Sequence, residues 1–358
     1  MTADKKRHVF FVGALKEGGA ERVISILTKQ LATTEKDVKI VLYHDMEPFY
    51  PIHPNIEILY AERETQSKNV FKNLLWLRRF FKKNADVVIS FLAPFNMLAL
   101  VAGFGLRTRM IVADRNDPRF VPSKKLLRIL RDFLYRFADG VVLQTSNNQA
   151  YFSKTVQKKS AVIFNPIDLG EKKGLALRTE KHRKIVSVGR LMPQKNQIML
   201  LRAFTEIHRV FPEYELFIYG EGTYRTDLEK EIAALELTNF VHLPGNQKNI
   251  FELISDAELF VLPSHYEGMP NALIEAMCLG LPVISTAVSG TSDLIEDGIN
   301  GRVVPLGDQA ALISVMKDLL SDDAQRQEMA SQAVSINDKL EVGGIMEQWS
   351  IFIEKTAK

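Results

Sequence analysis

The chain has 358 residues, 46% of them hydrophobic and 25% charged, the make-up of a globular protein large enough for two cores. A single cysteine, Cys278, excludes an internal disulfide and a thiolate zinc cluster, and fits a reducing compartment. The net charge of +3 conceals a division: residues 1–170 carry 27 Lys and Arg against 16 Asp and Glu, whereas residues 171–358 carry 19 against 27. Such polarity points to two domains with different partners, the basic one meeting something anionic. Solubility bias alone is the plainer alternative.

The opening "MTADKKRHVFFVGAL" is basic and then apolar, but its apolar part is short and lacks a small-residue cleavage pattern. It is read as a first buried strand rather than a signal peptide. Strand candidates "HVFFVGAL", "VKIVLYH", "IEILY", "DVVISFL", "MIVAD", "GVVLQT" and "AVIFN" follow one another through the first half, separated by helical patterns. Near-continuous apolar strands alternating with helices predict a parallel sheet covered on both faces. In such sheets ligands gather where strands end and helices begin. The first such junction, "VGALKEGGAERV", places Gly13, Gly18 and Gly19 in a loose turn. It is neither a Walker loop, since Gly19 and Ala20 stand where Lys and Ser/Thr are required, nor G-x-G-x-x-G. Either its backbone N–H groups receive an anion or its glycines serve a tight turn alone.

Residues 67–84, "SKNVFKNLLWLRRFFKKN", contain Lys68, Lys72, Arg78, Arg79, Lys82 and Lys83 and no acid. Val70, Leu74, Leu77 and Phe81 share one helical face, widened by Phe71, Leu75 and Phe80. This is the composition of an interfacial helix, and contact with an anionic membrane surface or a lipid diphosphate is expected here, a helix that covers the sheet with its cations in solvent being the alternative. A second basic amphipathic stretch, "SKKLLRILRDFLYRF" at 123–137, is expected to cover the sheet with its cations in solvent. The longest apolar run, "MLALVAGFGL" at 97–106, is half of what a membrane span needs.

The polar stretch "NPIDLGEKKGLALRTEKHRK", 165–184, interrupts the pattern where the charge changes sign, and is read as the linker. The domains expected are therefore 1–170 and 171–338, followed by a C-terminal helix over 339–358. "KIVSVGRL", "YELFIYG", "FVHLPG", "AELFVLPS", "LPVIST" and "GRVVPLG" then predict a second α/β series, so the fold class is two doubly wound, Rossmann-like domains. The first junction of this series is "IVSVGRLMPQKNQIMLLRAF". Pro193 suits an early helical position, which sets Lys195 near a helix N-terminus, where a cation is unfavourable unless an anion lies between. Arg190 and Lys195 could grip a diphosphate, one as a planar fork and one as a point charge; two solvated surface cations are the alternative.

A later junction, "PSHYEGMPNALIEAMCLGLPVIS", places Glu267 in a loop at a helix mouth and Glu275 inside an otherwise apolar helix beginning at Pro270-Asn271. A buried lone carboxylate is costly without a partner. Carboxylates repel phosphate and accept hydrogen bonds from adjacent hydroxyls, so glutamates beside a diphosphate grip suit a nucleotide sugar. After about residue 310 helices alone are expected. In the last, Ile345, Trp349, Phe352 and Ile353 at helical spacing require a buried face.

Taken together, "GRLMPQKN", "YGEGTYR", "LPGNQKN" and the E-x7-E element "EGMPNALIE", with "GALKEGGAERV", "ADRNDP" and "FNPID" in the first half, resemble the retaining glycosyltransferases of family 4, which have the GT-B fold. The likeness is to bacterial transferases of lipid-linked glycan, capsule or O-antigen assembly and spans essentially the whole chain. It implies two domains facing across a cleft, with the C-terminal helix crossing back to the first. Arg190 and Lys195 would hold the donor diphosphate, Glu267 and the segment Gly268, Met269, Pro270 and Asn271 the donor sugar, and Glu275 the ribose. Pro244, Gly245, Asn246 and Gln247 would lie by the base, and Gly18 and Gly19 would approach from the opposite domain.

The activity so implied is transfer of a hexose or N-acetylhexosamine from a UDP-linked sugar, with retention, to a lipid-linked glycan acceptor. Its setting would be the inner face of the cell membrane, the protein being cytoplasmic and peripherally bound. No Asp-x-Asp motif is present, and neither a metal nor a resident cofactor is expected. A nucleotide-sugar epimerase of the same architecture, or a silent subunit that binds the nucleotide sugar, are the alternatives. Nucleic acid is not an expected partner, because no aromatic-basic motif of the known binding modules is present.

Overall fold

The structure, a computed structural model, describes residues 6–16, 19–33, 37–167 and 182–356. The chain divides into two compact units, Met1–Pro166 with Val342–Lys358, and Ile167–Glu341. Most of the segment read as a linker, residues 168–181, lies outside the described residues, as does Gly18.

The first unit is built on seven parallel strands: β1 (Arg7–Val12), β2 (Asp37–Leu42), β3 (Glu57–Tyr60), β4 (Val87–Phe91), β5 (Arg109–Ala113), β6 (Gly140–Leu143) and β7 (Ser160–Val162). Their order across the sheet is β3-β2-β1-β4-β5-β6-β7. Helices α1 (Gly19–Thr33), α2 (Ala61–Thr65), α3 (Val70–Asn84), α4 (Ala93–Gly103), α5 (Lys125–Leu134), α6 (Ser146–Tyr151) and α7 (Lys154–Gln157) connect them. Side chains alternate between two cores, as the two-residue period of a strand requires. Phe10 and Val12 join Val23, Ile24, Leu27 and Leu31 of α1. Val9 and Phe11 join Leu77 and Phe81 of α3 and Ala99 and Leu100 of α4.

Helix α3 starts where Asn69 caps it, the side-chain oxygen accepting from the amides of Phe71 and Lys72 at 2.9 and 3.3 Å. Leu77 and Phe81 of the apolar set face inward, whereas Val70, Phe71 and Leu75 of the same set are exposed. Helix α5 departs further from expectation. Its apolar side does not cover the sheet: Arg131 is its buried residue, and Leu126, Ile129, Leu130 and Phe133 are exposed.

The second unit has six parallel strands: β8 (His182–Val188), β9 (Glu215–Tyr219), β10 (Val241–Gly245), β11 (Ala257–Leu262), β12 (Val283–Thr286) and β13 (Arg302–Val304). They run in the order β10-β9-β8-β11-β12-β13. Its helices are α8 (Gln197–His208), α9 (Arg225–Ala234), α10 (Ile250–Ile254), α11 (Asn271–Cys278), α12 (Thr291–Leu294), α13 (Gln309–Ser321), α14 (Asp323–Ala333) and α15 (Ile336–Leu340). In both sheets the strand order reverses beside the first strand, between β1 and β4 and between β8 and β11. Successive crossovers then leave on opposite sides, and a crevice opens at the carboxyl ends of those two strands.

The chain ends in α16 (Val342–Thr356), which belongs to the first unit. Ile345, Met346, Trp349 and Ile353 enter the core that α1 also covers. Trp349 is fully buried and stacks on Phe91 with ring centroids 5.9 Å apart. Removing that indole empties a large volume that the surrounding strands cannot refill. Trp349→Ala should therefore cost about 3–5 kcal/mol in urea unfolding; a loss under about 1 kcal/mol would show that α16 is not held by its core face.

Candidate active site

The carboxyl ends of β8 and β11 carry two loops stitched to each other. After β8, Pro193–Lys195 form one tight turn, Asn196 adopts a left-handed φ of 50°, and α8 begins only at Gln197. Lys195 thus precedes the helix instead of lying in its first turn. After β11, residues 263–270 run to α11, whose N-cap is Pro270. The amide of His265 donates to the carbonyl of Gln194 at 2.8 Å, and Gln194 Nε2 donates to the carbonyl of Tyr266 at 2.8 Å. Between these bonds Lys195 Nζ meets Glu267 Oε1 at 2.6 Å, and Ser264 Oγ donates to the same oxygen at 2.7 Å.

Glu267, not Glu275, is the carboxylate that the fold withdraws from water. Its residue is 6% exposed, whereas Glu275 on α11 is half-buried. A carboxylate so placed loses hydration that only a cation and a hydroxyl in contact can replace. Glu275 makes itself felt one turn along the helix, at Cys278. Burial foremost, and then the negative charge of Glu275, push that thiol up to about 12.

Backbone shape brings a third loop against the first. The amide of Gly189 donates to the carbonyl of Tyr219 at 2.9 Å, and that of Leu191 to the carbonyl of Glu221 at 3.0 Å, so pairing continues beyond β8 and β9. A Cβ at Gly220, where φ is +136°, would lie 2.1 Å from the Gly189 carbonyl oxygen; one at Gly222 would lie 2.2 Å from that of Leu191. Side chains at either position would push away the backbone that carries Arg190. Arg190 itself is exposed and forms no ion pair among the described residues.

The remaining candidates occupy the same edge of this sheet. Gly268, Met269 and Asn271 place their amides at the mouth of α11, while Pro270 has no N–H to offer. Pro244 to Gln247 continue β10, the edge strand; Gly245 is buried, Asn246 and Gln247 are exposed, and Gln247 Nε2 donates to the carbonyl of Pro244 at 2.8 Å. Among the described residues no three His, Cys, Asp or Glu side chains converge as a metal site would need.

Comparison with known proteins finds relatives of the whole chain. Residues 171–335 match the family of glycosyl transferases group 1. The match falls within the second unit. Over nearly its full length the chain is 29% identical to the GalNAc-alpha-(1->4)-GalNAc-alpha-(1->3)-diNAcBac-PP-undecaprenol alpha-1,4-N-acetyl-D-galactosaminyltransferase of Campylobacter jejuni, covering 95% of this chain and 96% of that one. It is 25% identical to the amylovoran biosynthesis glycosyltransferase AmsD of Erwinia amylovora, covering 90% and 92%. Among solved structures, HepE of Anabaena in complex with UDP superimposes with a TM-score of 0.81 at 19% identity, over 98% of this chain and all of that one. The two Rossmann-like units are thus those of the GT-B fold.

Within the second unit, sequence reasoning missed Ser264 and Gln194, which lock Lys195 and Glu267 in place. Both stand inside quoted stretches, Gln194 in "GRLMPQKN" and Ser264 near the start of "PSHYEGMPNALIEAMCLGLPVIS", but neither was given a role. In the first unit it left the residues of "ADRNDP" without roles. Gly19 opens α1 there, and Arg115 is buried beyond β5. Arg115 Nη1 donates to Asn165 Oδ1 at 3.0 Å, and its guanidinium carbon lies 5.2 Å from the Phe91 ring centroid and 5.4 Å from that of Trp349. Burial lowers its pKa to about 9, against the opposing pull of Asp114.

The six cations of residues 67–84 are not equivalent. Arg78 Nη1 donates to the carbonyls of Ala102 and Phe104 at 3.0 and 2.7 Å, closing the end of α4. Lys68, Lys72, Arg79, Lys82 and Lys83 are exposed.

The central pair has a thermodynamic signature. Lys195→Met strands the Glu267 carboxylate and should cost about 3 kcal/mol, the low end for a broken buried pair because the lysine keeps some water. Lys195→Met combined with Glu267→Gln should recover most of that loss in urea unfolding. Equal losses in the single and double variants would mean that the two side chains are not coupled.

Proposed function

We propose that the protein is a retaining glycosyltransferase that moves a hexose or N-acetylhexosamine from a UDP-linked sugar to a hydroxyl of a lipid-linked glycan, without a metal ion. The observation that carries this reading is the Lys195–Glu267 contact at the β8/β11 reversal, in the same loop as Arg190 and within the residues that match the group 1 family. A diphosphate and a sugar joined by one bond need a cation and an acceptor of hydroxyl protons side by side, and this pair supplies both.

In the reaction the bond from the anomeric carbon to the diphosphate oxygen breaks while the acceptor oxygen bonds to that carbon on the same face. The acceptor's proton passes to the departing phosphate oxygen. Charge grows on the diphosphate as the bond opens, and Lys195, Arg190 and the amides of Gly268 and Met269 are set to meet it. Glu267 orients the sugar hydroxyls and stabilises positive character at the anomeric carbon. Glu275 takes the ribose, and the Pro244–Gln247 segment borders the base.

The acceptor side is supported by the relatives of Campylobacter jejuni, which are named for glycans on diphospho-undecaprenol. Lys68, Lys72, Arg79, Lys82 and Lys83 offer such a diphosphate, or anionic headgroups, a region without a single acid. No described helix is long and apolar enough to cross a membrane. The setting proposed is peripheral, on the cytoplasmic face. A nucleotide-sugar epimerase has no external acceptor and leaves this basic surface without a use.

A panel of nucleotide sugars tests the proposal. A UDP-linked donor should raise the melting temperature and be hydrolysed slowly in the absence of acceptor; stabilisation without turnover would leave a silent subunit that binds the nucleotide sugar, and no stabilisation by any donor would overturn the proposal. Lys195→Ala, assayed well below its melting point, should lower kcat about 10²–10³-fold. Arg190→Ala removes an exposed side chain, so the melting temperature should hold while UDP binding weakens about tenfold.

A further inference from the structure

Helix α5 is amphipathic with its apolar side turned away from the protein. Its inward stripe is made by Arg128, Arg131 and Leu134, and the two arginines do the anchoring. Arg131 has no solvent exposure. It donates to the carbonyls of Val121 and Pro118 and to Asp132 Oδ1, and lies over the rings of Tyr151 and Phe152 at 5.4 and 5.2 Å. Arg128 Nη1 donates to the carbonyls of Pro122 and Ser123 at 3.0 and 2.8 Å. The guanidinium groups hold α5 to the loop that precedes it, which leaves Leu126, Ile129, Leu130 and Phe133 no inner surface to cover.

The outward stripe is Leu126, Ile129, Leu130, Phe133 and, one turn on, Phe137, with exposures of 76, 56, 45, 52 and 48%. These positions recur at three- and four-residue spacing and form one strip along the helix. Phe104, at the end of α4, extends it: its ring meets that of Phe137 edge-on at 5.7 Å. Helix α4 lies against both α5 and α3, and α3 adds Phe71 and Leu75, 77 and 56% exposed. So many exposed large apolar side chains on neighbouring helices are rare on a protein surrounded by water.

The charges around the strip name the occupant. Lys124, Lys125 and Arg136 border it on α5, and Lys72, Arg79 and Lys82 on α3. Asp132, the one acid of α5, is engaged by Arg131 and by Tyr151, whose hydroxyl donates to it at 3.0 Å. A second copy of the chain meeting this surface in a two-fold dimer would set cations against cations. A bilayer with anionic headgroups satisfies both parts, taking the apolar strip into the acyl boundary and the cations at headgroup level. We infer that α5, with Phe104 beside it, inserts into an anionic membrane surface, while α3 reads the headgroups. The inference rests on the proposed lipid-linked acceptor for its purpose, but not for its test.

The test is flotation of the full chain with vesicles of phosphatidylcholine alone and of phosphatidylcholine with phosphatidylglycerol in equal parts. The wild type should float with the mixed vesicles and poorly with the neutral ones. Leu126→Glu combined with Phe133→Glu should reduce recovery at least tenfold. Ile351→Glu, an exposed apolar residue of α16, should leave recovery unchanged.

A Phe133→Trp variant should show a blue-shifted emission with mixed vesicles and quenching by brominated acyl chains, beyond that of the wild type. Insertion is refuted if the double variant floats like wild type, if the added tryptophan is not quenched, or if the wild type ignores vesicles and instead dimerises with concentration. Slow hydrolysis of the donor is measured on the same preparations. Hydrolysis retained by the non-floating variant separates loss of the membrane contact from failure of the transferase reading.

Discussion

A carboxylate kept from water needs a counter-charge in contact with it, and at Glu267 that counter-charge is Lys195. The requirement reaches well beyond the two side chains. It fixes the loop after β8 against the loop after β11, across the one place in the second sheet where the strand order reverses. The Gln194 bonds to His265 and Tyr266 hold the two backbones at the separation the ion pair demands. Gly220 and Gly222 then let the β9 loop close on the Gly189–Leu191 backbone that carries Arg190. Three strand ends are thereby committed to one arrangement before any ligand arrives. Preorganisation of this sort is what lets fixed charges act on a developing charge without reorganising first.

The first unit uses charge differently. Its sheet is covered by apolar faces in the ordinary way by α1 and α16 on one side and by α3 and α4 on the other. Where α5 stands, two arginines bind backbone carbonyls of the Pro118–Ser123 loop and take over the anchoring that apolar burial does elsewhere. Such bonds are directional, and a buried guanidinium without them would be far more costly than a buried leucine. The helix is therefore held firmly while its apolar side remains available.

Much of this was legible beforehand, and the unread part has a common cause. Seven and six strand candidates correspond to sheets of seven and six strands, because parallel strands buried on both faces read as unbroken apolar runs. The positions of Arg190, Glu267 and α11 followed from where those runs end. What the pattern could not convey was which polar group meets which. The apolar company of Glu275 raised the question of a lone buried carboxylate; the helix turns it half outward, while Glu267, in a loop rich in polar and small residues, is the one enclosed. Burial in a loop depends on the neighbouring loop, and no local spacing encodes that.

Helix α5 misled in the same manner. An amphipathic repeat states that one side is apolar; it does not state which side the protein keeps. The usual assumption, that the apolar side goes in, holds when the inner surface is itself apolar. Beneath α5 the inner surface is a loop of carbonyls with Tyr151 and Phe152 behind it, and those groups select a guanidinium over a leucine. In each unit the placement of the functional surface follows from a buried or half-buried cation and the oxygens that receive it. At Lys195 the cation faces a carboxylate and the result is two loops held against each other at the site proposed for the donor; at Arg131 it faces mainly backbone and the result is an exposed apolar face.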